Sequence, residues 1–290
     1  MARTRRIKFN DRDAFHHVTS RIAGRRMLLK DAEVKRDMLD ALRRAAEFSG
    51  VNVGSFAIMG NHFHIVVQVP SGAGTVPEGE VLRRYAALAG GKASLRLEAR
   101  LMRLREGGDS LAAEAEVGRL RARMHDLSQF VKTFKEEFGR LFRRRVRFPG
   151  TIWEGRFRST LIGEAEYLRR CAAYVEQNPV RAGIVDRAED YAWNTVGAAR
   201  RGDAFALRCR RWLLSVLGIA SGDSPRMEEA ASGRIAQVSG GKILGSAAFV
   251  AEMLGVFAEK VRSRSARARR VDGLGFASHG WKLAQELKAA

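Results

Sequence analysis

The chain has 290 residues, 46% of them hydrophobic, with 52 Lys and Arg against 32 Asp and Glu and a formal net charge of +20. That length buries a sizeable core, as one large domain or a domain with a smaller partner. The basic excess points to a polyanion, because neutralising phosphates releases condensed counterions, with an anionic membrane surface as the competing partner. A bilayer span needs a run of about 18 apolar residues, and none is present. No apolar segment of signal-peptide length follows the basic Met1 to Lys8 stretch, and Cys171 and Cys209 stand alone without metal-ligand spacing. A cytoplasmic, reducing setting is therefore expected.

In chain order, Ala14 to Arg21 reads as a first strand, closed by a turn at Gly24. Asp31 then caps a helix to Phe48 whose stripe is Val34, Met38, Leu42 and Ala45, and Gly50 ends it. Val51 to Met59 forms a second strand. The Gly60-Asn61 turn leads as a hairpin into an apolar, β-branched run headed by His62 and His64. Residues two apart on a strand share a face, so the two imidazoles stand side by side. Such a pair is either the polar face of a half-buried strand or two thirds of a metal site, since neutral imidazole is the commonest protein ligand.

Residues 71 to 125 turn to Ala, Arg, Leu and Glu with paired glycines and read as a helical insertion of two or three exposed helices. A phenylalanine-rich helix follows from Asp126 to about Arg143, and its aromatics read as core. The Arg143 to Ile162 segment interleaves arginines with Phe148, Trp153 and Phe157. Arginine forks bind phosphate and aromatic faces stack unpaired bases, although a charge run beside a strand is also an ordinary solvated edge.

A helix from Glu164 to Gln177 is expected to end at Asn178-Pro179, because the residue before proline is pushed out of helical geometry. Tyr174 and Asn178 lie one turn apart on its face. If that face packs under the two-histidine strand, the Asn178 amide oxygen completes a His, His, Asn ligand set for Mg²⁺ or Mn²⁺, and Tyr174 points at the same ion. Otherwise the tyrosine is core and the asparagine a stop signal. Beyond residue 205 the chain reads as short helices, about 205 to 217 and Ser246 to Val261, then a basic segment with Arg262, Arg264, Arg267, Arg269 and Arg270 and a final stretch holding Trp281. That region is either an accessory DNA-binding module or a solvated basic tail.

The ordered set His17-Val18-Thr19-Ser20-Arg21, Asn61-His62-Phe63-His64, Trp153 to Phe157 and Tyr174 to Gly183 resembles the REP-associated tyrosine transposases of the HUH single-tyrosine superfamily. Gly60 stands where the family often has proline, and Glu154 where a glutamine is usual. The resemblance covers about Phe15 to Trp193, apart from the insertion. It implies a transposase domain over residues 1 to 200 with the fold class α+β, a ferredoxin-like antiparallel sheet with helices on one face. It further implies Tyr174 as nucleophile, His62, His64 and Asn178 as ligands of Mg²⁺ or Mn²⁺, and Arg21, Trp153, Arg156, Arg158 and Arg181 as DNA contacts. The expected partner is single-stranded or hairpin DNA, cleaved and rejoined through a 5′-phosphotyrosine by a monomer or homodimer, with no membrane partner and no nucleotide cofactor. A domesticated, noncatalytic hairpin-binding protein is the alternative.

Overall fold

The computed structural model describes residues 8–9, 11–219 and 243–262. The sequence expectations for the basic N-terminal residues, for the arginines from Arg264 to Arg270 and for Trp281 lie outside the described residues.

Strand β1 (Ala14–Arg21) is followed by helix α1 (Ala32–Ser49), then β2 (Asn52–Ile58) and β3 (His62–Val69). Asp31 caps α1 by accepting from the Val34 amide at 3.0 Å, a bond of the kind that stabilises a helix by about 1 kcal/mol. Gly50 closes α1 in the left-handed region at φ 65°, where a side chain would also run into Arg84. Helices α2 (Glu78–Ala89), α3 (Gly91–Glu106) and α4 (Ser110–Arg121) form the expected insertion. They enclose a small core of Val81, Leu88, Leu101, Val117 and Met124 closed by Phe48, so the insertion docks on the C-terminal end of α1. Helix α5 (Leu127–Arg145) then leads to β4 (Arg158–Ile162).

The strand order is β2-β3-β1-β4, every pair antiparallel, which is the ferredoxin-like arrangement for two β-α-β units read in this sequence. A two-residue strand β5 (Ile243–Leu244) adds to β4 in parallel, so the complete sheet is mixed. Helices α1 and α5 share one face. There Val18, Phe56, Ile58, Phe63, Ile65 and Val67 meet Met38, Leu42, Phe130, Phe134 and Phe138 in the main core. The α+β class is the one the sequence implies, but two details differ: β5 makes the described sheet mixed instead of purely antiparallel, and helices cover both of its faces instead of one, because α6 carries an apolar stripe of its own.

The other face is covered too. Helix α6 (Ala165–Glu176) buries Leu168, Cys171, Ala172 and Val175 there against Ala57, Val66 and Ile162. The one-turn helices α7 (Asn178–Arg181) and α8 (Thr195–Arg200) follow, and then α9 (Ala204–Val216). Tyr191 donates to the Ile58 carbonyl at 2.6 Å and Lys35 donates to the Tyr191 hydroxyl at 2.8 Å, tying this return segment to β2. Although α9 belongs in sequence to the C-terminal region, it packs along β2 and reaches both cores: Phe205 stacks on Phe56 of the main core at 6.1 Å, Leu213 and Leu214 join the α6 side, and Trp212 fills the space beside Gly54. Helix α10 (Ala247–Arg262) is the last element among the described residues, with Ser246 as the expected cap through its hydroxyl and the Phe249 amide. Among the described residues no helix is long and apolar enough to cross a membrane.

Candidate active site

Period-two alternation decides what β3 presents. Phe63, Ile65 and Val67 go to the α1/α5 core, so His62, His64 and Val66 go to the α6 face. The register with β1 sets Arg21 opposite His62, Thr19 opposite His64 and His17 opposite Val66. On the far side of β1, Arg158 lies opposite Thr19 and Thr160 opposite His17. Directly opposed residues share a face, with their Cβ atoms roughly 5 Å apart. One side of the sheet thus carries three histidines flanked by Arg21 and Arg158.

The imidazoles are in contact. The His62 and His64 rings lie 5.1 Å apart edge to face, and the His64 and His17 rings lie 5.1 Å apart and nearly parallel. His17 Nε2 and His64 Nδ1 share a hydrogen bond of 2.9 Å. Helix α6 sets Tyr174 above this row, with its ring 5.8 Å from that of His64 and 6.1 Å from that of His17, both edge-on. The Arg181 guanidinium lies 5.2 Å from the centre of the Tyr174 ring, on its face.

The expected helix end is more finely divided than the sequence suggests. Pro179 has no N–H, so α6 stops at Glu176, yet Asn178 and Pro179 open the further turn α7 instead of an extended segment. Asn178 donates its Nδ2 to the Tyr174 carbonyl at 2.9 Å, which leaves Oδ1 as the lone-pair atom of the amide.

The site's protonation states follow from burial and charge. Burial, then the Arg21 charge, brings His62 down to about 4. Burial alone brings His17 down to about 4. His64 is held well below its ordinary value by burial and then by His17, His62 and Arg21. All three are neutral at pH 7, the form in which imidazole ligates metal. The Tyr174 hydroxyl is raised by burial, with Arg181 pulling the other way and Cys171 adding slightly. It enters any reaction protonated.

The donor chemistry fits a divalent cation: two neutral imidazoles on a rigid strand and an amide oxygen not used by its own hydrogen bond. Among the described residues no group of three or more His, Cys, Asp or Glu side chains is placed to hold a metal ion, the three contacting histidines included.

The remaining candidates scatter. Arg156 is exposed in the loop before β4. Trp153 pairs with Ile22 and packs edge-on against Phe63 and Phe138, each 5.7 Å away, with Lys135 4.7 Å from its ring centre. Trp153 is half-buried, and its ring packs against the α1/α5 core on the face away from the histidines. Glu154 donates its amide to the Arg21 carbonyl at 2.9 Å, which extends the pairing of this segment along β1 while its side chain stays exposed. At Gly60, a Cβ would fall 2.4 Å from the tip of Met27, so Met27 occupies the space a larger residue would take.

Two residues of the site escaped the sequence reading, His17 as the partner of His64 and Asn61 as the partner of His62. Only the β1–β3 register says which residues His17 and Thr19 meet.

No family model matches the chain, and no curated protein matches it. Among solved structures it is similar to one described as "Structure of the REP associates tyrosine transposase bound to a REP hairpin", at 15% sequence identity and a TM-score of 0.44, over 70% of this chain and 87% of that one.

Proposed function

We propose that this protein is a divalent-metal-dependent enzyme that cleaves and rejoins single-stranded DNA at hairpin-forming sequences through a 5′-phosphotyrosine on Tyr174. The observation that carries the reading is the meeting of Tyr174 with the His62–His64 pair, the tyrosine ring 5.8 Å from His64 and under the Arg181 guanidinium. A merely structural tyrosine has no need of neutral imidazoles in front of it and a cation on its ring.

His62, His64 and Asn178 would hold Mg²⁺ or Mn²⁺, which when bound supplies Lewis-acid polarisation of a phosphate at undiminished charge because all three ligands are neutral. The protein's own residues do the rest. Arg21 and Arg158, both exposed, flank the histidines and hold the DNA backbone through phosphate. Tyr174 Oη attacks the phosphorus, the bond to O3′ breaks, and the proton lost by the tyrosine is balanced by the one gained at the released 3′-hydroxyl. Arg181, beside the ring, stabilises negative charge developing on the phenolic oxygen and offsets the burial that raises it. Attack of a second 3′-hydroxyl on the phosphotyrosine reverses the step and rejoins the strand, so one exchange becomes two similar displacements.

The test is a denaturing gel of the protein with end-labelled, hairpin-bearing single strands, with Mn²⁺ or EDTA. The expected result is a metal-dependent adduct that retains the label of the 3′-side fragment and disappears in Tyr174→Phe. An adduct that persists in Tyr174→Phe overturns the nucleophile. The second reading, a noncatalytic hairpin-binding protein, draws on the same exposed arginines, since Arg21, Arg158 and Arg181 suffice to hold a backbone. Tight hairpin binding with no adduct under any metal favours it.

A further inference from the structure

We propose that Asn61 and His17 are positioning residues that fix the tautomers of His62 and His64, so that both present Nε2, unprotonated, to one ion. The inference rests on the metal reading above and concerns how this chain prepares the site before any ion arrives.

For His62 the orientation is determined link by link. Asn61 donates Nδ2 to the Arg25 carbonyl at 3.0 Å, which sets which end of the amide is oxygen. Its Oδ1 lies 2.7 Å from His62 Nδ1. A carbonyl oxygen only accepts, so Nδ1 carries the hydrogen and Nε2 keeps its lone pair. Asn61 is itself anchored, because its backbone carbonyl accepts from the Ile22 amide at 2.8 Å and the neighbouring Gly60 carbonyl accepts from Leu29 at 2.9 Å. Arg25 adopts φ 54°, a left-handed conformation uncommon for a residue with a side chain, and its carbonyl is the one that receives Asn61. The loop after β1 thus serves as a cradle for the hairpin turn that precedes His62.

For His64 the partner comes from the adjacent strand. Of the two nitrogens in the 2.9 Å bond, His17 Nε2 and His64 Nδ1, one carries the hydrogen. If His17 donates, neutral His64 has its hydrogen on Nε2 and is lost as a ligand on that atom. If His64 donates, Nε2 is free, as in His62. The second arrangement makes both histidines equivalent ligands and assigns His17, 3% exposed on β1, the part of acceptor. A ligating histidine almost always gives its other N–H to such an acceptor, and losing the acceptor costs 10- to 100-fold in metal affinity.

The experiment titrates the intact protein with Mn²⁺ and follows the free-ion signal by electron paramagnetic resonance. Asn61→Leu and His17→Leu are each expected to weaken Mn²⁺ binding about tenfold or more. Asn61→Asp and His17→Gln keep an acceptor oxygen and are expected to retain most of it. That rescue is what a loss of folding would not produce, and thermal melting in EDTA checks folding for all four. Wild-type-like affinity in both leucine variants, with affinity lost in His62→Ala, overturns the positioning role and leaves the metal site standing. Equal loss in the leucine and acceptor-retaining variants, all melting like the wild type, overturns it as well. No Mn²⁺ binding by the wild-type protein, or none lost in His62→Ala, removes the metal reading and this proposal together. Tyr174→Phe is expected to bind Mn²⁺ normally while forming no DNA adduct, which separates failure of the nucleophile from failure of the ligand shell.

Discussion

The two faces of the sheet are made from the same strands and do opposite things. On one, Phe63 and Ile65 from β3 and Val18 from β1 are sealed against α1 and α5 in the main apolar core. On the other, the residues between them, His62, His64 and His17, bring polar nitrogens together under Tyr174. The difference shows that burial on this protein has two uses. Against α1 and α5 it supplies stability, and against α6 it removes water from imidazoles and holds them neutral without leaving them unpartnered. His16 sharpens the contrast. It lies on the core side of β1, buried, and among the described residues its Nδ1 has no hydrogen-bond partner, whereas His17 beside it is bonded to His64.

The largest effect should come from the smallest change. Tyr174→Phe removes one oxygen from the α6 face, and it is expected to abolish covalent DNA adduct entirely while the denaturation midpoint stays near that of the wild type. A large drop in stability would mean that the hydroxyl belongs to the core and that the two faces are less distinct than drawn. Phe63→Ala is the reverse experiment on the α1/α5 face. It should cost roughly 3–5 kcal/mol in chemical denaturation, the range for emptying a buried phenylalanine site. Adduct formation should fall only in proportion to the folded fraction. His62→Ala, one residue away, should lose Mn²⁺ with little loss of stability.

Acid is expected to strain both faces at once. Burial lowers His16 and His17 from 6.5 to about 4, so between those values the unfolded chain binds protons that the folded one refuses. Stability is therefore full above pH 6.5 and falls as pH drops towards 4, by on the order of 3 kcal/mol for each such group. His16→Leu should flatten the pH dependence of the denaturation midpoint in that window and leave Mn²⁺ affinity at pH 7.5 alone. An unchanged acid slope would show that His16 finds a proton partner on the core side. The smallest expected change is in Arg158→Ala. Its position opposite Thr19 predicts a modest, sequence-independent loss of oligonucleotide affinity and a salt dependence shallower by about one ion. The same substitution should leave both melting and Mn²⁺ binding alone.

Much of this was legible without coordinates because it is written in local periodicities. Asp31, the Val34–Met38–Leu42 stripe and Gly50 delimit α1, and the alternation after Gly60-Asn61 identifies β3. The pairing of His62 with His64, and of Tyr174 with Asn178, needs nothing beyond a repeat of two and a repeat of 3.6. Other features were not legible. Trp153 sits among arginines in sequence, yet its ring enters the α1/α5 core, because the bridge to Ile22 sets its side against Phe63 and Phe138. The placement of α9 on β2 depends on Gly54 leaving room for Trp212, a contact between distant segments.

By itself, then, the sequence determined which residues could carry chemistry and along which elements they line up, since a side chain's direction on a helix or strand follows from its own backbone. Tertiary structure decided which of those lines face each other. The sheet has two sides, and no local pattern says that α6 covers the one opposite α1 and α5, or that β1 is registered so that His17 meets His64. Those choices are made by long-range packing: the apolar alternate residues of β3 go to the larger core, and the histidines are left facing the helix that holds Tyr174.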